Sequence, residues 1–309
     1  GRLPEKQLST FNFVGNLPYS SRNGSSFAGP ATLMLASAIS GTALRDDVIF
    51  LGDVTPEGRI QEPEFGWRYL EKLRQGKGGR LIVPSEFESR IRALLVFEEP
   101  SFFLRYEVIA VNTLEQALNM AALDPGSPVL ADAEAEFARF RELTAPANIG
   151  PLAVNKHVRE RLTKILTANP GHLSAKMILL QGSSWRPTRL DRAEFWLELE
   201  RCLAPMDWLG DPQVQAVELQ PDALRKSYEE CRRNLEAIDD RVDPEERKPY
   251  TEAQMVVDLI STLTQIRNAS PNASEELLRS YDKLRSGYRR LANDFRQKIG
   301  DSSGAERKN

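Results

Sequence analysis

The chain has 309 residues, enough for two domains of ordinary size with an apolar core in each. Its 41 Lys and Arg against 44 Asp and Glu leave a formal charge of −3, which gives no general electrostatic reason to expect nucleic acid or an anionic membrane as partner. No apolar run approaches the roughly 20 residues that a bilayer span needs, no signal-peptide pattern stands at the start, and the composition is that of a soluble globular protein whose compartment stays open.

Taken in order, Gln7 to Val14 alternates and predicts a strand with Phe11 and Phe13 on one face. Tyr19 to Ser25 predicts a loop. The small-residue turn Asn23-Gly24-Ser25-Ser26-Phe27-Ala28-Gly29 leads into an apolar helix over Ala31 to Ile39, closed by Gly41. A serine just ahead of a helix sits among free backbone N–H groups. Ser25 or Ser26 is therefore either a cap or a hydroxyl placed where an oxyanion can be held. Asp47 to Leu51 predicts a buried strand, Pro56-Glu57-Gly58 a turn, and Arg59 to Gln61 a short return strand. A helix over Phe65 to Gln75 follows, with Leu70 and Leu73 on its buried stripe. Gly76-Lys77-Gly78-Gly79 stops it, and lacks the Lys-Ser/Thr that would make a phosphate-binding loop. Leu81 to Val83 predicts a strand, Glu86 to Phe97 a helix, Tyr106 to Val111 a strand, and Thr113 the cap of a helix over Leu114 to Leu118. Strands and helices interleave, as in an α+β layer.

From Ser21 to Pro84 this series resembles the proteolytic domain of Lon-type serine peptidases. In that family the nucleophile lies in KDGPSAG. A helix ending in Gly follows, then VRxDVAMTGEITxxGxV, a helix carrying the catalytic lysine, and a strand ending in Pro. Arg22-Asn23-Gly24-Ser25-Ser26 falls on KDGPS, Leu44 to Val48 on VRxDV, Gly52 to Ile60 on GEITxxGxV, and Leu81 to Pro84 on the last strand, without insertion or deletion. The resemblance implies a Lon-like fold with Ser26 at the nucleophile position. It also implies that the general base is gone. Tyr69 stands at the family's lysine, Leu51 at the supporting threonine, Asn23 at the acidic residue of KDG, and Glu64-Phe65 at a Gly-Gly pair. A serine hydroxyl needs an adjacent base, and tyrosine, titrating near pH 10 in model peptides, does not supply one at neutral pH. Lys72, three residues after Tyr69 on the same helix face, is the alternative base. Family domains carry further strands ahead of this point, so the resemblance implies a domain over 1–125 that is N-terminally incomplete or reduced.

Asp124-Pro125-Gly126-Ser127-Pro128 predicts the domain boundary, and beyond it the strand pattern stops. An all-α helical domain over 126–300 is predicted, with helices over Ala131–Leu143, Leu152–Thr167, His172–Leu180, Arg192–Leu203, Pro221–Ala237, Thr251–Asn268 and Ser274–Ile299. The second and third of these, Leu152–Thr167 and His172–Leu180, have the flavour of one tetratricopeptide-type hairpin. Val256, Val257, Leu259, Ile260, Leu263 and Ile266 form one apolar face. Leu277, Leu278, Tyr281, Leu284, Tyr288 and Leu291 form another, predicting an antiparallel pair across Ser270-Pro271-Asn272. Residues 301–309 read as a disordered polar tail. Cys202 and Cys231 fit either two thiols or one bridge. His157 and His172 sit in no ligand spacing, so neither metal nor cofactor is expected.

Two functions follow from this reading. One is a catalytically inactive Lon-like protein that binds or scaffolds a protein or polypeptide partner, self-associating as the ring-forming family does. The other is an active serine endopeptidase with Ser26 as nucleophile and Lys72 as displaced base.

Overall fold

The computed structural model describes residues 24–63, 66–97, 101–124, 126–144, 149–269 and 275–305, with side chains except at 24–26, 217 and 300–305. The strand expected over 7–14, Asn23 and the Glu64-Phe65 pair lie outside the described residues. The described residues are mostly helical, with a small parallel sheet, and the chain divides into two compact units, Gly1–Arg186 and Pro187–Asn309.

The first unit opens with α1 (Gly24–Ser40), so Gly24 to Ser26 lie in its first turn and not in a loop ahead of it. Pro30 inside this helix has no N–H to give the Ser26 carbonyl. Gly41, at φ +69°, ends the helix in the left-handed region that glycine adopts without strain. β1 (Val48–Phe50) follows, then the hairpin of β2 (Asp53–Val54) and β3 (Ile60–Gln61), and α2 (Gly66–Arg74). β4 (Gly79–Pro84), α3 (Glu88–Phe97), α4 (Ser101–Arg105), β5 (Tyr106–Val111) and α5 (Leu114–Ala121) complete the mixed part. As predicted, Thr113 caps α5, its side chain accepting the Gln116 N–H.

The sheet order is β1-β4-β5, all parallel, with Phe50 opposite Ile82 and Ile82 opposite Ile109. Strands covered on both faces read as near-continuous apolar runs, and Leu81, Ile82, Val83, Val108 and Ile109 are all buried. Leu33 of α1 and Ala117 and Ala121 of α5 pack with Ile82, Ile109 and Val111 on one face. On the other, the Tyr106 ring lies 4.8 Å from Phe102, and its hydroxyl closes on Gly76, where an added Cβ would come within 2.1 Å.

The outer edge of β5 is covered by chain from well beyond residue 125. The Ala110 N–H donates to the Gly171 carbonyl at 2.7 Å, and the Val108 N–H to Ser174 Oγ at 2.8 Å, while Ser174 Oγ donates to the Tyr106 carbonyl. This binds α6 (Pro128–Thr144), α7 (Ile149–Ala153), α8 (Lys156–Ala168) and α9 (Leu173–Gln181) into the first unit. The division therefore falls at Arg186–Pro187 and not at the turn-rich stretch near 125, because an exposed strand edge is satisfied across that stretch. The expected helix over Leu152–Thr167 is two helices. Asn155 breaks it by accepting the His157 and Val158 N–H groups as the cap of α8.

The second unit is helical: α10 (Arg192–Leu203), α11 (Pro221–Glu236), α12 (Arg247–Ala269) and α13 (Glu275–Ala305). α12 and α13 pack closely, with Gly287 against Val256, where an added Cβ would meet Val256 Cγ2 at 2.9 Å. Those two residues are nearly equidistant from the 270–274 connection, as an antiparallel pair requires; the connection lies outside the described residues. Leu277, Leu284 and Leu291 are buried, but Leu278 is exposed, so the inward stripe is narrower than the sequence suggested. α13 continues to Ala305, through part of the stretch expected to be a tail, since extending a formed helix costs far less than starting one. Cys202 and Cys231 are buried thiols not joined in a disulfide, and burial pushes the Cys231 thiol up to about 12.

Candidate functional site

The helix carrying Ser26 is placed by two glycines. A Cβ on Gly29 would lie 1.8 Å from the Gly52 carbonyl oxygen and 2.8 Å from Phe50 Cε1, so α1 and the end of β1 approach to backbone contact. This brings the start of α1 toward the strand end that carries Leu51. Leu51 is buried, with its N–H donating to the Ile82 carbonyl at 2.9 Å. The position that the resemblance aligns with a supporting threonine holds an aliphatic side chain inside the core. The Ser26 hydroxyl lies outside the described side chains.

Tyr69 and Lys72 are set by α2. That helix buries Trp67 and Leu70, with Trp67 6.3 Å from the Phe97 ring and Gly66 pressed against Phe87. Leu73 is half-buried, Tyr69 is half-buried, and Lys72 is exposed. The Lys72 ammonium lies over the Tyr69 ring, 5.9 Å from its centroid, at the outer limit of a cation–π contact. A lysine that acts as a base at neutral pH is one stripped of water, since desolvation is what lowers an ammonium's pKa. Lys72 is in solvent.

A second polar centre, not foreseen from the sequence, lies at the start of the sheet. Arg80 and Glu107 are opposite one another in the β4–β5 register and both are buried. Arg80 Nε and Nη2 donate to Glu107 Oε2 at 3.1 and 2.8 Å, and Nη1 donates to the Met120 carbonyl at 2.9 Å and to Glu134 Oε1 at 2.8 Å. His172 Nδ1 accepts the Ala175 N–H at 3.2 Å, leaving Nε2 to carry the ring proton toward Glu107 Oε1, 3.4 Å away. Burial pushes the Glu107 carboxyl up, but His172 and Arg80 outweigh burial and hold it at about 2. A pocket of about 300 Å³ opens over this cluster, floored by Arg80 and Glu107 and walled by Ala131, Ala135 and Phe137 of α6. The guanidinium's bonds are taken up by two carboxylates and a helix-end carbonyl, so the cluster joins β4, β5, α5, α6 and α9. Its signal in the sequence was a charge at the head of each of two apolar strands, GRLIVP and YEVIAV.

Among the described residues, no three His, Cys, Asp or Glu side chains gather as a metal-ligand set, and no helix is long and apolar enough to cross a membrane. No family model, curated protein or solved structure matches the chain.

Proposed function

We propose that the first unit is a Lon-peptidase-like domain that has lost its catalytic base, and that the protein binds a polypeptide partner and does not cleave it. The observation that carries this reading is the occupancy of α2. Tyr69 stands where the peptidase resemblance requires lysine, and the one lysine within a turn of it has its ammonium in solvent, over the Tyr69 ring. The buried Leu51 at the supporting-threonine position points the same way. Removing the base from a serine nucleophile costs on the order of 10⁴ to 10⁶ in rate. That loss leaves a scaffold without turnover. Self-association belongs to the same reading, by resemblance to a ring-forming family.

The test is casein cleavage together with labelling by a serine-directed covalent probe, on the full chain and on Ser26→Ala. The expected outcome is no turnover, with labelling of the full chain no greater than that of S26A. Turnover abolished by both S26A and Lys72→Met, accompanied by labelling at Ser26, would instead establish a displaced-base endopeptidase.

A further inference from the structure

We infer that the outer face of α8 is a docking groove for a short acidic peptide segment. This deepens the proposed binding role and rests on it for its purpose, though not for its geometry. The groove, about 520 Å³, is lined by Val154, Lys156, Arg159, Glu160, Thr163 and Lys164. It lies on helices that the peptidase resemblance leaves unaccounted for. Three of its six lining side chains are cationic and one is anionic.

The shape has a local cause. Asn155 ends the connection from α7 and caps α8, which turns Val154 outward, 61% exposed, at the foot of a helix whose first residues are Lys156 and His157. Arg159 Nη1 donates to the Ala153 and Leu179 carbonyls at 3.3 and 3.2 Å, so its guanidinium is pinned at the end of α7 and forms a fixed wall. Lys156, 85% exposed, reaches Glu160 only at 3.9 Å, a loose pair of little energetic weight. Lys164 is exposed two turns along the same face. The two lysines bracket Glu160 and the Thr163 hydroxyl, and Val154 is an apolar foothold at the end beside Lys156. A segment with carboxylates next to an aliphatic side chain matches that order of apolar contact followed by positive charge.

A long polyanion does not match it as well. The chain's 41 Lys and Arg nearly balance its 44 Asp and Glu, so its composition supplies no extended basic surface for a nucleic acid or an anionic bilayer to follow beyond the groove. A short acidic segment sees only the groove.

The experiment is fluorescence anisotropy of a labelled acetyl-Glu-Glu-Leu-Glu-Glu-amide peptide titrated with the full chain at low salt. It is repeated with a Gln-for-Glu peptide, with a poly-thymidine oligonucleotide, and with the double charge reversal K156E/K164E. Both lysines are exposed, so the reversal leaves the core untouched, and an unchanged circular dichroism spectrum verifies it. Binding of the acidic peptide is expected, weakening as salt rises and falling about tenfold or more in K156E/K164E, the scale of turning two exposed attractions into repulsions. Equal binding of the glutamine peptide, tighter binding of the oligonucleotide, or an unchanged affinity in the double variant would overturn the inference, as would no binding at all. The outcome is separable from the cleavage test. Cleavage dependent on Ser26 overturns the inactive reading and leaves this measurement standing, whereas a silent titration leaves the missing base as it was.

Discussion

A carboxylate at the second position of a buried strand, as Glu107 is in β5, is costly unless a counter-charge meets it in register, and Arg80 of β4 does so. Glu107→Gln keeps the shape and removes the charge. Of its two carboxylates Arg80 then retains Glu134 alone, and His172 Nε2 faces an amide. Breaking a buried pair from one side costs about 3 kcal/mol or more, so E107Q is expected to lower the urea midpoint with little change in the denaturant slope. The pH dependence has a definite sign. The folded carboxyl titrates at about 2 against an ordinary value of 4.5. Its stabilisation is therefore fully present above pH 4.5 and is lost as pH falls from there through 2. In E107Q that part of the acid slope should be missing. An identical acid slope in both proteins would mean that Glu107 is not the group being titrated.

Between elements, α1 and the β1–β2 junction meet at Gly29 and Gly52. Gly29 is helical, so Gly29→Ala would by helix propensity alone stabilise by about 1 kcal/mol. The contact with the Gly52 carbonyl reverses the sign, and a loss of roughly 1–3 kcal/mol is expected as the helix is pushed off the sheet. Gly41→Ala is the comparison: its φ of +69° costs an L-residue about 1–2 kcal/mol, but nothing lies within 4 Å of the added methyl. Stabilisation by G29A in thermal melts would show that α1 does not sit where the structure has it. This contact also marks where the sequence was and was not legible. Periodicity and turn residues placed β5 and α10 to the residue, and most other elements to within a few, because strand alternation, a Thr cap and a Gly stop are local signals. The start of α1 was misplaced because Gly, Ser and Pro carry loop propensity, which packing against Gly52 overrides. At the site, the assignment of Tyr69 to a lysine position comes from the peptidase resemblance and belongs to the proposal built on it. The Arg80–Glu107–His172 cluster was not legible, since its members are far apart in the chain and meet only through sheet register and the return of α9.

At the scale of the whole molecule, that return of α9 decides what folds on its own. Cutting after residue 125 follows the composition of the chain, yet it would strip β5 of two backbone partners, the Gly171 carbonyl and Ser174 Oγ. It would also remove Glu134 and His172 from the buried cluster, together with Phe137, whose ring stacks against His172 at 4.3 Å between centroids. Each buried group left without its partner costs about 1–3 kcal/mol, and a domain's whole stability is only about 5–15 kcal/mol. Several such losses together consume it. A fragment of residues 1–186 is accordingly expected to melt cooperatively, with dispersed amide resonances, and a fragment of 1–125 to lack both. Cys202 and Cys231 lie beyond either cut, so thiol chemistry does not complicate the comparison. A cooperative transition in the 1–125 fragment, at a temperature near that of 1–186, would show that α6–α9 are an attachment to the sheet, and that the composition break was the true boundary.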